Sequence, residues 1–182
     1  MDAQELLSRY ATGERNFNGA NLHQAILSDA DLSEANFSGA DLSGAELSGA
    51  KLCECNLSRA NLTDADLNGA NLQNANASEV NFIGADLINI NLEQTNLSRA
   101  DLRSANLVQA NLIGANLTEA ELSGADLSGA NLKDANLIGA NLNEAELGGA
   151  NLTGASITEQ DWTGSFTYTA ISHKWVTWAG GC

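Results

Sequence analysis

Ala30-Asp31-Leu32-Ser33-Glu34-Ala35-Asn36-Phe37-Ser38-Gly39-Ala40-Asp41-Leu42-Ser43-Gly44 holds three successive pentads, and their spacing decides the fold. The large apolar residue at the centre of each pentad recurs at every fifth position from Phe17 to Trp162, with one lapse at Ala77; twenty-four of these thirty residues are Leu. Two places before each stands a small residue, Ala at twenty-four of the twenty-nine positions from Ala20 to Gln160. No insertion breaks the phase. On an α-helix five residues advance a side chain by about 500°, which scatters the leucines over every side. On a straight strand an odd spacing sends alternate leucines to opposite faces. The period works only if the chain turns a corner in each pentad, so that Leu and the Ala before it point into a tube and three residues face water. The prediction is an all-β solenoid.

Pentads such as Ala30-Asp31-Leu32-Ser33-Glu34 and Ala130-Asn131-Leu132-Lys133-Asp134 resemble the motif of the pentapeptide-repeat family, and the resemblance spans about four-fifths of the chain. It implies a right-handed quadrilateral β-helix with four pentads per coil. About seven and a half coils at a strand spacing of about 4.8 Å make a rod roughly 36 Å long. Leu6 to Phe17 also resembles the lead-in of cyanobacterial members, which implies a cyanobacterial source. The expected organisation is an N-terminal capping helix over 1–15, the β-helix over 16–164, and an aromatic C-terminal cap or tail over 165–182.

With four pentads per coil, every twentieth residue is a vertical neighbour. Phe17 should stack on Phe37. The vacancy at Ala77 is followed by Phe82, with Val80 and Ile90 in place of alanines, and these read as volume compensation, since an unfilled Leu-to-Ala gap costs about 2–5 kcal/mol. Leu6, Leu7 and Tyr10 lie at helical spacing, and Gly13 is placed to end the helix. Cys53 falls in an outward column and Cys55 in an inward one, so neither a disulfide nor a chelate is expected.

Composition narrows the function classes. Net charge is −15, there is no Pro, and no apolar run approaches the 18–20 residues of a membrane span. The acidic N-terminus lacks a secretory pattern, so a cytoplasmic protein is expected. His23 and His173 lie far apart in the chain and suggest no Ser/His/Asp grouping, and no calcium-binding loop occurs. The expectation is therefore no enzyme, no cofactor and no metal. Eight scattered bases give no basic patch for direct nucleic-acid binding.

The outer surface carries the remaining information. Asn residues fill the outward column before the central residue on two faces (Asn16, Asn36, Asn56 and onward; Asn71, Asn91, Asn111 and onward), predicting amide ladders. The other two faces, centred on Leu22 and Leu27, hold twelve acids against the single base Arg103. Asp66, Asp86, Asp126 and Glu146 are candidate protein-contact residues there. Ile83, Ile88, Val108 and Ile113 form a candidate apolar contact patch near mid-rod, and Trp175 and Trp178 lie in an aromatic tail that either caps the coil, binds a partner or joins two copies end to end.

A binding scaffold for another protein is the leading expectation. The first alternative is an acidic DNA mimic. Duplex DNA carries about one charge per 1.7 Å of axis, about twenty-one over this length, and the resemblance implies regulators of DNA gyrase or of a DNA-binding transcription regulator. The uninterrupted register, with no protruding loop, departs from the gyrase-protecting members. The second alternative is a purely structural or self-associating rod.

Overall fold

The computed structural model describes residues 1–158 and the backbone of 177–178. Twenty-five parallel bridges join each residue before a pentad centre to the residue twenty further on, from Asn16 with Asn36 to Asn136 with Ser156. Four pentads therefore make one coil, and coils stack in register.

The pentad Asp41–Ala45 shows how the corner is made. Asp41 N–H donates to Ala20 in the coil below at 2.9 Å, while Leu42 and Gly44 N–H donate to Asn61 and Thr63 carbonyls in the coil above, at 2.7 and 2.9 Å. Ala45 N–H then donates to Leu42 O at 3.0 Å and closes a four-residue turn. The third residue of that turn needs positive φ, as in a type II turn. All twenty-eight residues in this position, from Gly19 to Gly154, have it, and sixteen of them are not glycine. No β-branched or aromatic residue stands in this column, as the steric cost of the left-handed region requires.

The leucines and alanines of the two inner columns form one continuous buried core. Phe17 and Phe37 stack with ring centroids 5.5 Å apart. Ala77, Val80, Phe82 and Ile90 are all fully buried, as the compensation reading requires. Two polar residues replace Ala in the inner column by the same device. Cys55 Sγ donates to Leu32 O at 3.0 Å and Thr95 Oγ1 to Leu72 O at 2.7 Å, each one coil below. Burial pushes the Cys55 thiol up to about 12, so it stays protonated and inert. Cys53 lies outward and half-buried.

Helix α1 spans Ala3–Ala11, with Asp2 as N-cap accepting from Glu5 N–H at 2.8 Å. Gly13, at φ +96°, takes the chain out of it. Leu6 enters the core completely. Tyr10 Oη donates to Ser33 O at 3.0 Å, satisfying an edge carbonyl of the first coil, and Arg15 lies over the Tyr10 ring at 3.7 Å. At the other end, β1 (Ser156–Ile157) pairs in parallel with β2 (Thr177–Trp178). That pairing spans twenty-one residues instead of twenty, so the register slips by one once the pentads lapse. Trp175 lies outside the described residues, and of Trp178 only the backbone is described.

Candidate protein-contact site

Consecutive coils place the four acidic candidates in a single outward column. The bridges run Glu46–Asp66–Asp86–Asn106–Asp126–Glu146, so carboxylates stack about 4.8 Å apart with one amide between two acidic groups. Each is tied down differently. Asp66 accepts from Ser48 Oγ at 2.6 Å and from Asn68 N–H at 3.0 Å; Asp126 accepts from Ser128 N–H at 2.9 Å. Asp86 Oδ2 accepts from Asn68 Nδ2 at 3.0 Å, and its Oδ1, buried, has no partner. Glu146 is exposed. On the neighbouring face Arg103 is held by Asp101 at 2.7 Å, so the one base of these two faces is already neutralised.

The Asn-bearing faces form the predicted ladders. Asn91 Nδ2 donates to Asn71 Oδ1 at 3.0 Å and Asn111 to Asn91 at 3.1 Å; Asn96 and Asn116 repeat the pattern on the other face. Each Oδ1 also accepts the N–H two residues on, as in Asn36 with Ser38 at 3.0 Å. An Asx turn and a coil-to-coil bond thus share one side chain.

Ile88 and Val108 occupy one column in adjacent coils, with Ile83 and Ile113 on the flanking faces, and all four are half-buried. The most exposed large apolar side chain described is instead Ile26, at 66%. It is the sole apolar residue in a column otherwise filled by Asn, Asp, Glu, Lys and Ser, a signal legible in the sequence but not singled out there.

One expectation needs correction. Coil stacking does bring a His/Ser/Asp group together: His23 Nδ1 lies 2.9 Å from Ser43 Oγ, which donates to Asp41 Oδ1 at 2.6 Å. The order is wrong for nucleophilic catalysis. The serine proton points at the carboxylate, so His23 must donate to the hydroxyl, whereas a general base would accept from it. The Ser43 bonds also hold Asp41 below the usual carboxylate range, which makes it a poor base. His173 lies outside the described residues. Among the described residues no group of three metal-ligating side chains is assembled, and no helix is long and apolar enough to cross a membrane.

The model for pentapeptide repeats matches eight copies over residues 16–52, 55–94, 95–134 and 130–159. The chain belongs to the pentapeptide-repeat family. Among solved structures it is similar to trypsin-treated QnrB1, a plasmid-mediated fluoroquinolone resistance protein, at 24% identity over 75% of this chain and 69% of that one, with a TM-score of 0.70. HetL, a pentapeptide-repeat protein involved in heterocyst differentiation regulation from the cyanobacterium Nostoc sp. strain PCC 7120, is 31% identical over 85% of this chain and 94% of its own, with a TM-score of 0.42. Rfr23 from the cyanobacterium Cyanothece 51142 is 31% identical over 84% and 98%, with a TM-score of 0.37. No curated protein matches. This pentapeptide-repeat chain thus has relatives of the same repeat type, and none of the three is described as an enzyme.

Proposed function

We propose that this pentapeptide-repeat protein is a non-enzymatic, cytoplasmic scaffold, a right-handed quadrilateral β-helix over 16–164, that binds another protein through its acidic faces. The observation that carries this reading is the single column Asp66, Asp86, Asp126 and Glu146, held at coil spacing on faces with almost no compensating base. Such a surface selects a basic partner and speeds its encounter. The DNA-mimic reading, with gyrase or a transcription regulator as target, draws on the same column, since regularly spaced carboxylates on a rod present the charge sign and linear order of a phosphate backbone.

The test compares the wild type with Asp66→Asn/Asp86→Asn/Asp126→Asn/Glu146→Gln in affinity capture from cyanobacterial lysate at about 0.05 M and 0.3 M salt. A partner captured by the wild type and lost with the variant supports the acidic column, and displacement of that partner by duplex DNA supports the mimic. A partner retained by both proteins moves the contact to Ile83, Ile88, Val108 and Ile113 or to Trp175 and Trp178. No partner at all favours the structural rod.

A further inference from the structure

One face differs from the other three. On the face centred on Phe37, Leu57, Ala77, Leu97, Leu117 and Leu137, residues 35–139 carry four charges, and these alternate up one corner column: Gly39, Arg59, Glu79, Arg99, Glu119, Gly139. Arg59 Nε donates to Glu79 Oε2 at 2.9 Å, and Arg99 Nε to Glu119 Oε2 at 2.7 Å. All four side chains remain well exposed. The face sums to zero charge on a rod of net −15.

The order of the column matters more than its sum. Reversed, plus-minus-plus-minus becomes minus-plus-minus-plus, so the column is complementary to its own inverted copy. A twofold axis lying in the plane between two rods and crossing them at right angles sets each column against itself, running the opposite way. With that axis level with the gap between the Ala77 and Leu97 coils, Glu79 meets Arg99 of a second copy and Arg59 meets its Glu119, four opposite-charge pairs in all. Each within-rod pair then sits in a charge network instead of facing water alone.

The rest of the face permits the approach. Asn lies against Asn along the ladder column. Ser78 faces Ser98 and Ser58 faces Thr118, so no bulky side chain holds the rods apart near the axis; the one large residue of this column, Ile138, is half-buried and faces Ser38 at its end, where Gly39 faces Gly139 in the charged column. A shallow groove lined by Ser38, Gly39, Ser58, Arg59, Ser78 and Glu79 receives the charged arms of the second copy. At the opposite corner Asn74 faces Gln94 and Glu54 faces Gly114. Only the outermost rung sets like charges together, Glu34 against Asp134, where Lys133 lies 4.0 Å from the Asp134 carboxylate.

We propose that this neutral face is a lateral docking surface for a second copy of the chain, antiparallel to the first, which leaves the acidic faces free. The remaining faces repel their like. Six rungs make a face about 29 Å long and roughly 10 Å wide, which covers about 290 Å² per rod, below the ~800 Å² of a standard interface, so the dimer is reversible and salt-sensitive.

Sedimentation velocity on the full chain, up to about 1 mM in about 0.05 M salt, tests the arrangement against Arg99→Glu/Glu119→Arg. That variant keeps composition, net charge and an opposite-charge pair at 59/79 and at 99/119, but reversal now sets Arg against Arg and Glu against Glu. The expected result is a doubling of mass for the wild type, lost at about 0.5 M salt, and association at least about tenfold weaker in the variant. Exchange of all four residues (Arg59→Glu/Glu79→Arg/Arg99→Glu/Glu119→Arg) restores the alternation and should restore the dimer, which separates a lost contact from a lost fold; far-UV circular dichroism and melting are followed for all three proteins. A wild type monomeric throughout overturns the proposal. So does a folded two-residue variant that associates as well as the wild type, as end-to-end assembly would, or a folded fourfold exchange that does not associate. None of these substitutions touches the acidic column, so the scaffold reading stands or falls separately.

Discussion

Ile88 N–H donates to Asn68 Oδ1 in the coil below, at 3.1 Å, and not to Asp86 of its own turn. Among the described residues, wherever else Asn or Asp stands before the pentad centre it accepts that N–H, as Asn81 does from Ile83 at 3.0 Å. By capturing it, Asn68 leaves Asp86 Oδ1 buried and without a partner, on a carboxylate stacked directly over Asp66. A buried acceptor without a donor costs stability, and stacked like charges add to the cost.

Asp86→Asn should therefore stabilise the fold. An amide in this place can donate to Asp66 as the ladder asparagines donate to the coil below. Urea unfolding should show a gain of about 1 kcal/mol, shrinking as salt is added. A loss would mean that Asp86 holds its turn by some other contact.

The turn column offers a clean backbone test. Gly69 has φ +66°, and a Cβ placed there would meet nothing within 4 Å. Gly69→Ala then probes only the left-handed conformation, and should cost about 1 kcal/mol without altering the spectrum of the folded protein. Equal stability would mean that coil stacking absorbs the strain.

At the Ala77 vacancy, Phe82→Leu should destabilise by more than Leu107→Val in a regular coil, because Phe82 fills volume that no neighbour can recover. Conversely, Ala77→Leu should lose about 1–3 kcal/mol from overpacking. A stabilising Ala77→Leu would show that the vacancy had stayed empty.

Acid should weaken the coil through its outward carboxylates. Ser33 and Ser43 hydroxyls and N–H groups hold Asp31 and Asp41 below the usual carboxylate range, and Arg59 does the same to Glu79. A carboxyl depressed in the folded state contributes stability that is complete above its unfolded value, about 4, and is lost as pH falls through its folded value. Unfolding free energy should thus decline from about pH 4 downward. Asp41→Asn should flatten part of that decline while leaving neutral-pH stability nearly unchanged, since an amide accepts from Ser43 as Asn36 does from Ser38 at 2.7 Å.

The cap should matter as well. Tyr10→Phe removes the bond to Ser33 O and should lower stability by about 1 kcal/mol, read as an earlier melt.

Much of this was written in the period. A five-residue spacing of Leu and Ala is incompatible with straight helix or strand, so it dictated a coil with two inward columns; the resemblance to pentapeptide repeats added four pentads per coil, and with that the Phe17–Phe37 stack, the repacking around Ala77 and the asparagine ladders became legible. It also marked out the acidic column, because every twentieth residue becomes a neighbour once four pentads close a turn. What the sequence could not give was the partnering within a column. Asn68 outcompetes Asp86 for one N–H, Ser43 gathers His23 and Asp41 across two coils, and Ile26 stands exposed while Ile88 and Val108 are half-covered. Those outcomes depend on which of several donors and acceptors, brought within reach by stacking, reaches first. Periodicity fixes the column; only tertiary geometry, at the scale of tenths of an ångström, chooses the bond.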